Sequence, residues 1–311
     1  MSTALIYHPI YLRHDTGDTH PERASRLQAI LRKLKQTSFI DKLELVEPKI
    51  ADLKDVELVH PKDHILSIRD ACKSAPVNLD PDTPVSKDSY EAALFAAGGV
   101  IEAINHVHEE EVDNAFCMVR PPGHHACPSR AMGFCLFNNI AIGARYILEY
   151  FKLKRVLIVD FDVHHGNGTQ EVFYDDPSVL YISLHEYPHY PGTGSKDEEG
   201  EGKGKGFNLN IPMSSGSGDK EYIDMFNNVI APKVDDFQPE FILLSAGFDG
   251  HKDDPLSSIT LTDRGYYEMT SILKDLAEKY SQDRLVSVLE GGYNLISLAN
   301  STYSHLQSLT N

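Results

Sequence analysis

Residues 155–170 read RVLIVDFDVHHGNGTQ, and this stretch decides the fold prediction. Its VLIV segment is wholly apolar, which is typical of a strand covered on both faces in a parallel sheet. Residues two apart on a strand share a face, so Asp160, Asp162 and His164 are expected to point the same way. Because ligand sites in open α/β sheets lie at the carboxyl ends of the strands, the sequence predicts a functional site here.

The alternation of strand and helix patterns extends along the whole chain. Apolar runs predict strands at 3–8, 112–119, 155–162, 178–185, 206–211, 240–246 and 284–290. Apolar residues at helical spacing predict helices at 21–36, 87–109, 138–151, 219–236 and 263–280. The Gly-rich segment 192–206 is predicted to be a folded loop whose glycines adopt positive φ. With no internal repeat and no interdomain linker, the pattern predicts one α/β domain.

Composition restricts the class of protein. The chain has 311 residues, of which 41% are hydrophobic and 24% charged, as is typical of a globular protein. Lys and Arg number 29 against 46 Asp and Glu, a formal net charge of −17. This excess of anions argues against direct binding to nucleic acid, whose phosphates attract cations. It favours cationic partners such as lysine-rich tails or amines.

The cysteines and the N-terminus predict a compartment. The four cysteines show no CxxC spacing, so we expect reduced thiols in an intracellular protein. The sequence MSTALIYHP lacks the basic and apolar regions of a leader and is predicted to enter the first strand. No apolar run reaches the roughly 18 residues that a membrane span requires. We expect a soluble intracellular protein, in the simplest case a cytoplasmic one.

A second strand end repeats the chemistry of the first. Residues 241–249 read FILLSAGFD, and a carboxylate that follows such an apolar run is costly unless it is paired or binds a cation. Asp160 taken alone fits a buried structural carboxylate, but two carboxylates and two imidazoles within six residues favour a metal or catalytic role. Asp162, His164 and Asp249 therefore predict a metal site with positions open to water and a substrate oxygen.

Two shorter motifs supply groups for proton transfer and hydrogen bonding. RPPGHH follows an apolar run, and its Pro-Pro-Gly turn fixes the backbone from which His124 and His125 emerge. Two imidazoles held in this way suit acid–base chemistry. EGGY ends in Tyr293, whose neighbouring glycines allow close approach to a site. Taken alone, that tyrosine is more often a packing residue than a catalytic one.

Together these segments resemble the histone deacetylase family of the arginase/deacetylase superfamily. The similarity runs from about residue 5 to the last helix, with motifs in the family order HPERASR, RPPGHH, MGFCLFNN, DFDVHHGNGTQ, SLH, YPGTG, AGFD, DPL and EGGY. Asn167 stands where class I enzymes carry Asp, a form similar to class II. The resemblance implies a single arginase/deacetylase-like catalytic domain over residues 1–311, with a mostly parallel sheet of about eight strands flanked by helices.

The resemblance also implies an activity and roles for individual side chains. The expected reaction is zinc-dependent hydrolysis of N-ε-acetyl-lysine in proteins or peptides to lysine and acetate, inhibited by hydroxamates. The expected catalytic residues are His124 and His125, with Asp160 behind His124 and Asn167 behind His125, and Tyr293, which hydrogen-bonds the substrate carbonyl. The expected substrate-binding residues are Gly133, Phe134 and Tyr190 on the tunnel wall, Asp82 at the rim, Leu256 beside the tunnel, and Arg23 at an internal channel for acetate.

Three ion sites follow from the same resemblance. The Zn²⁺ ligands are Asp162, His164 and Asp249. Two further sites would hold a structural K⁺ or Na⁺. The first corresponds to Asp160, Asp162, His164, Ser183 and Leu184, and the second to Phe173, Asp176, Val179 and Phe207.

Three other functions share parts of this motif set with lysine deacetylation. An acetylpolyamine amidohydrolase shares the metal chemistry, but polyamine-selective relatives place a Glu where this chain has Leu256, and an apolar residue favours an acyl-lysine stem. Arginase is disfavoured because its binuclear manganese site needs further ligands. A catalytically inactive acyl-lysine reader is disfavoured because the metal ligands, His125 and Tyr293 are all present. The sequence leaves the oligomeric state open.

Overall fold

A computed structural model describes residues 2–311 as one α/β domain. Ten strands are present: β1 (Thr3–Ile6), β2 (Glu44–Val46), β3 (Val77–Asn78), β4 (Pro84–Val85), β5 (Asn114–Cys117), β6 (Val156–Asp160), β7 (Val179–Glu186), β8 (Asn208–Met213), β9 (Phe241–Ala246) and β10 (Leu285–Leu289). Eight of them form a parallel sheet in the order β2-β1-β5-β10-β9-β6-β7-β8, and β3 and β4 form a small antiparallel pair. The prediction of a parallel sheet of about eight strands is confirmed.

Helices flank this sheet. They are α1 (Ser25–Gln36), α2 (Leu53–Val56), α3 (Lys62–Lys73), α4 (Ser89–His108), α5 (Asn139–Tyr146), α6 (Asn167–Phe173), α7 (Asp219–Met225), α8 (Ala231–Phe237), α9 (Asp263–Tyr280) and α10 (Leu295–Thr310). Short 3₁₀ turns occupy Pro9–Arg13, Phe39–Lys42 and Gly202–Gly204. The central strands are wholly buried because helices cover both sheet faces, which explains their uninterrupted apolar character.

Local chemistry explains where the sequence prediction and the structure differ. All seven predicted strands are present, but β2 is a three-residue edge strand with two exposed side chains, too short and too polar to give a strand pattern. The predicted helix 219–236 is divided by a π turn at Phe226–Ile230, next to Pro232, which has no amide hydrogen to donate to the helix. Helices α2, α3, α6 and α10 were not among the predicted helices.

The Gly-rich segment is a folded loop, as predicted. Five glycines in 192–206 have positive φ. Gly194 shows the reason most clearly, because its φ is +90° and a Cβ there would collide with the buried rings of His165 and His185. The Glu198 carboxylate accepts hydrogen bonds from the amides of Gly194 and Ser195 within the loop. The main-chain oxygens of Gly194 and Glu198 accept from His185 on β7 and Asn208 on β8 and hold the loop against these strands.

Two observations bear on the expected class of protein. All four cysteines are buried and free, consistent with the prediction of reduced thiols. Within residues 2–311, no helix combines the length and hydropathy that a bilayer crossing requires.

The sheet order brings the predicted chemistry together. The neighbours β5, β10, β9 and β6 lie at the centre of the sheet, and all four run in the same direction. The RPPGHH, EGGY, AGFD and DFDVHH motifs follow these four strands in turn. Four motifs that are far apart in the chain therefore meet at one edge of the sheet.

A buried ion triad ties α1 to two of these motifs. The Glu22 carboxylate accepts a bidentate pair of hydrogen bonds from Arg120 and one from Arg26, and all three side chains are wholly buried. Burial alone would raise the pKa of Glu22, but Arg120 and Arg26 outweigh burial and lower it to about 2. Because the two guanidinium groups share one carboxylate, loss of Glu22 leaves two buried cations without a counter-charge.

Glu22→Gln is expected to lower the free energy of unfolding by roughly 3 kcal/mol or more, because breaking a buried ion pair leaves uncompensated charge inside the protein. Urea denaturation measures the change. Glu268→Gln is the matched control, since it removes a carboxylate from an exposed pair with Arg264 on α9 and should cost less than about 1 kcal/mol. Equal decreases in the free energy of unfolding in the two variants would contradict the assigned role of the triad.

Candidate metal and catalytic centre

Asp162, His164 and Asp249 form one compact cluster at the edge of the sheet. Each offers one ligand atom, and these atoms lie within 4.8 Å of one another. His164 Nδ1 is 3.1 Å from Asp162 Oδ1 and 3.1 Å from Asp249 Oδ2. The turn after β6 supplies the first two residues and the turn after β9 supplies the third. An imidazole nitrogen and two carboxylate oxygens are ligands that Zn²⁺ takes, so the donor set fits a catalytic site with open positions.

The charges of the cluster favour a bound cation. Burial and the neighbouring Asp162 raise the pKa of Asp249. Burial would lower the pKa of His164, but the two carboxylates outweigh burial and raise it to about 10. In the absence of a metal, a proton on the imidazole compensates the two carboxylates. A divalent ion supplies that positive charge more fully and displaces the proton.

Backbone groups hold the carboxylates in place. Val163 N donates to Asp249 Oδ1 at 3.0 Å, and Gly291 N donates to Asp162 Oδ2 at 2.8 Å. A Cβ on Gly291 would collide with the carboxylates of Asp249 and Asp162. The glycines of the EGGY motif therefore let the β10 strand end pass directly behind the ligands, which fixes their orientation.

The tandem histidines lie beside the cluster in different electrostatic environments. His124 Nδ1 donates to Asp160 Oδ2 at 3.0 Å, and the same oxygen accepts from the Tyr181 hydroxyl at 3.1 Å. Burial would lower the pKa of His124, but Asp162, Asp160 and other carboxylates outweigh burial and raise it to about 10. His124 is therefore held as a cation when no metal is bound.

His125 is held neutral. Burial lowers its pKa well below the usual value, and the positive charges of His124 and His164 lower it further. Its Nδ1 lies 2.8 Å from Asn167 Oδ1, while Asn167 Nδ2 faces the sulfur atoms of Cys127 and Met132. Because the amide presents its oxygen to the ring, Nδ1 carries the hydrogen and Nε2 carries the free lone pair.

Glu290 belongs to the site as well, although the sequence pattern assigned it no role. Its Oε2 accepts from Gly123 N at 2.7 Å and His124 N at 3.2 Å, so it anchors the backbone of the RPPGHH turn. Burial raises its pKa to about 7. The signal was present in the sequence, since a Glu directly after an apolar strand needs partners of this kind.

A cavity of about 220 Å³ leads to the centre. Its walls bring together the predicted tunnel residues and His164, a member of the candidate metal cluster. The lining residues are Asp82, His125, Gly133, Phe134, His164, His189, Tyr190, Leu256 and Tyr293. The Tyr190 ring lies edge-on to His125 at 5.2 Å, and the Phe134 ring lies edge-on to Tyr293 at 5.9 Å. His189, which the sequence analysis did not select, stacks on His164 at 5.1 Å.

Arg23 does not lie where the resemblance placed it. Its guanidinium donates to Asp18 O at 2.8 Å on the surface and lines a separate cavity of about 610 Å³. Arg26 is the arginine behind the site. It donates to the carbonyls of Gly292 at 2.6 Å and Glu290 at 2.5 Å, and its Cζ lies 5.1 Å from the centre of the Tyr293 ring. Both arginines belong to the RASR segment, but Arg26 lies in the first turn of α1 and points inward, whereas Arg23 precedes the helix and stays at the surface.

The residues expected to hold monovalent cations lie in two places. Asp160, Asp162 and His164 follow β6, and Ser183 and Leu184 are on β7, where Asp160 is paired with Ser183. Phe173 ends α6, Val179 begins β7 and Phe207 precedes β8. The Asp176 carboxylate is already paired with Arg145, so main-chain carbonyls are the available ligands in the second set.

Comparisons with known proteins found similar sequences and a similar fold. The family model for the histone deacetylase domain matches residues 20–309. A probable deacetylase of Archaeoglobus fulgidus is 43% identical, with 95% of this chain and 82% of that protein covered. Chloroplastic histone deacetylase 14 of Arabidopsis thaliana is 37% identical, with 98% and 76% covered.

A human relative and a solved structure extend the comparison. Human histone deacetylase 9 is 38% identical over 99% of this chain, which spans about a third (34%) of that protein. The crystal structure of the HDA15 HD domain has a TM-score of 0.95 and 38% identity, covering 99% of this chain and 89% of the solved one.

Asp249→Asn is expected to weaken binding of a divalent metal at least about 100-fold, because one of the charged ligands becomes a neutral amide. Elemental analysis of the purified protein and titration of the metal-free form measure the change. Asp253→Asn is the control, since this nearby side chain is 60% exposed and lies outside the cluster. Full metal content in Asp249→Asn would remove Asp249 from the ligand set.

Proposed function

Because the chain belongs to the histone deacetylase family and is a deacetylase of the hydrolase class, we propose that it hydrolyses N-ε-acetyl-lysine in proteins or peptides. We propose Zn²⁺ as its metal, held by Asp162, His164 and Asp249. The observation that carries the proposal is the narrow cavity in which His125, His164 and Tyr293 line the same space. A metal ligand, a neutral base and a phenol then face one substrate amide.

Zn²⁺ bound by these ligands would polarise the amide carbonyl and lower the pKa of a water molecule. His125 is suited to act as the general base, because its neutral ring directs a free Nε2 lone pair away from Asn167. The proton that it accepts can be delivered to the lysine nitrogen as the amide bond breaks. His124 and Asp160 set the local charge beside His125, and Asn167 keeps the His125 ring in position.

Tyr293 is suited to stabilise the developing oxyanion. Burial, together with Asp249 and Asp162, raises the pKa of its hydroxyl well above the usual value, so it remains a hydrogen-bond donor. The ring is packed between Phe134 and the guanidinium of Arg26. A donor fixed before the reaction stabilises charge without reorganisation during it.

The walls of the cavity fit a lysine side chain. Phe134 and Tyr190 present aromatic surface to an aliphatic stem, and Leu256 adds an apolar contact. Asp82 at the rim offers an acceptor for substrate backbone amides. The net charge of −17 favours cationic segments around the acetylated residue. Acetylated polyamines are the alternative substrates, and the apolar Leu256 disfavours their additional positive charge.

We also propose that the two groups of residues around β6 and β7 bind K⁺ or Na⁺ as structural ions. The support is the combination of carboxylate, hydroxyl and carbonyl oxygens, which are the ligands that hard monovalent cations share with other hard cations. The pairing of Asp160 with Ser183 on adjacent strands brings the first set close together.

Tyr293→Phe is expected to lower kcat on an acetyl-lysine peptide by roughly 100-fold while the metal stays bound, because one oxyanion donor is lost. Steady-state kinetics and elemental analysis measure the two effects, and a hydroxamate should abolish wild-type turnover. Tyr267→Phe on α9 is the control, since it removes a phenol hydroxyl outside the cavity. Wild-type turnover in Tyr293→Phe would exclude this role for the hydroxyl.

The wild-type protein is expected to have a higher kcat/KM for an acetyl-lysine peptide than for acetylspermidine. Leu256→Glu should raise the relative kcat/KM for acetylspermidine by about tenfold, because a carboxylate beside the tunnel attracts the second amine. Gln has about the size of Glu without its charge, so Leu256→Gln should leave the ratio of the two kcat/KM values near that of the wild-type protein. Wild-type preference for acetylspermidine would instead support the polyamine alternative.

A further inference from the structure

Asp254 is a buried carboxylate outside both the metal cluster and the lining of the cavity. Its Oδ1 accepts from Leu256 N at 3.0 Å. Its Oδ2 accepts from Tyr293 N at 2.7 Å and from Asn294 N at 3.2 Å. One carboxylate therefore joins the segment that carries the tunnel residue Leu256 to the segment that carries the Tyr293 hydroxyl.

Other contacts hold the Leu256 segment to the site. The Ser257 hydroxyl donates to Asp249 O at 2.6 Å, and Ser258 N donates to Glu186 Oε2 at 2.9 Å. His189 Nε2 lies 2.9 Å from Leu256 O. The segment is thus fixed to the metal-ligand strand on one side and to the tunnel wall on the other. Asp254 joins this fixed segment to the Tyr293 amide.

The contacts of Asp254 are not those of an ordinary helix cap. The N-terminus of α10 is capped by Asn294, whose Oδ1 accepts from Ile296 N at 3.0 Å and Ser297 N at 3.2 Å. Asp254 instead binds the two amides before the helix begins. Burial and the charge of Asp249 raise the pKa of Asp254 to about 6, so its ionised form is costly at this position.

We propose that Asp254 is a positioning residue for deacetylation, which sets the location of the Tyr293 hydroxyl relative to the metal ligands and to the Leu256 wall. The expected effect on kcat rests on the proposed function. The hydrogen bonds by which Asp254 joins the two segments do not depend on it.

Asp254→Asn is expected to lower kcat on an acetyl-lysine peptide by roughly 10- to 100-fold, because its single amide oxygen cannot serve amides on both sides and small displacements of a catalytic group are costly. Asp254→Ser removes the carboxylate without placing an NH₂ group against backbone N–H donors, and should act in the same direction. Asp253→Asn is the matched control on the adjacent, exposed side chain. Unchanged kcat in both Asp254 variants would overturn the proposal.

A double-mutant cycle tests whether the effect passes through Tyr293. In the Tyr293→Phe background, Asp254→Asn should lower kcat by less than about threefold, because the positioned hydroxyl is already absent. If Asp254→Asn lowered kcat in this background as much as it does in the wild-type protein, Asp254 would act on folding or on another group, and the proposal would be overturned. Metal content should equal that of the wild-type protein. Loss of metal in Asp254→Asn would likewise overturn it.

Amide hydrogen exchange separates this proposal from the proposed function. In Asp254→Asn, Tyr293 N and Asn294 N should exchange at least about tenfold faster than in the wild-type protein, while the strands of the sheet keep their protection. Unchanged exchange at these two amides would overturn the positioning role. If the wild-type protein and Asp253→Asn failed to hydrolyse acetyl-lysine peptides, the proposed substrate would be wrong, and faster exchange would still establish the link that Asp254 makes.

Discussion

The close approach of two carboxylates at neighbouring buried strand ends is the constraint on which the site depends. Asp162 and Asp249 both lie against His164 Nδ1, and each takes a backbone amide as a second partner. Two negative charges that close together inside a protein require a positive charge between them. The glycines behind them, the protonated state of His164 in the absence of metal and the charge on His124 all follow from this requirement.

The same constraint explains why the two adjacent histidines differ. When no metal is bound, His124 faces Asp160 and is held as a cation, whereas the buried His125 faces a neutral amide and has a lowered pKa. A carboxylate in place of Asn167 would favour the protonated form of His125. The amide fixes the tautomer of the His125 ring without adding charge, so His125 stays neutral beside His124.

The sequence was sufficient for the features that depend on local pattern. Wholly apolar strands, the polar residues that end them and the order of the motifs predicted the sheet and the residues at its edge. The sequence could not choose between Arg23 and Arg26, because the choice depends on how α1 is rotated against the EGGY turn. It could not reveal the contacts of Asp254 either, since its partners Tyr293 and Asn294 lie about 40 residues further along the chain.

The position of β10 has a consequence for synthesis on the ribosome. It is the last strand to be made, yet it lies in the middle of the sheet, between β5 and β9. Until it emerges, β5 and β9 lack the partner strand that lies between them, and unpaired strand edges are prone to wrong pairing. The tandem histidines follow β5, and the metal ligands follow β6 and β9. A chain released before β10 is complete therefore contains both sets of reactive groups but has no strand to join them.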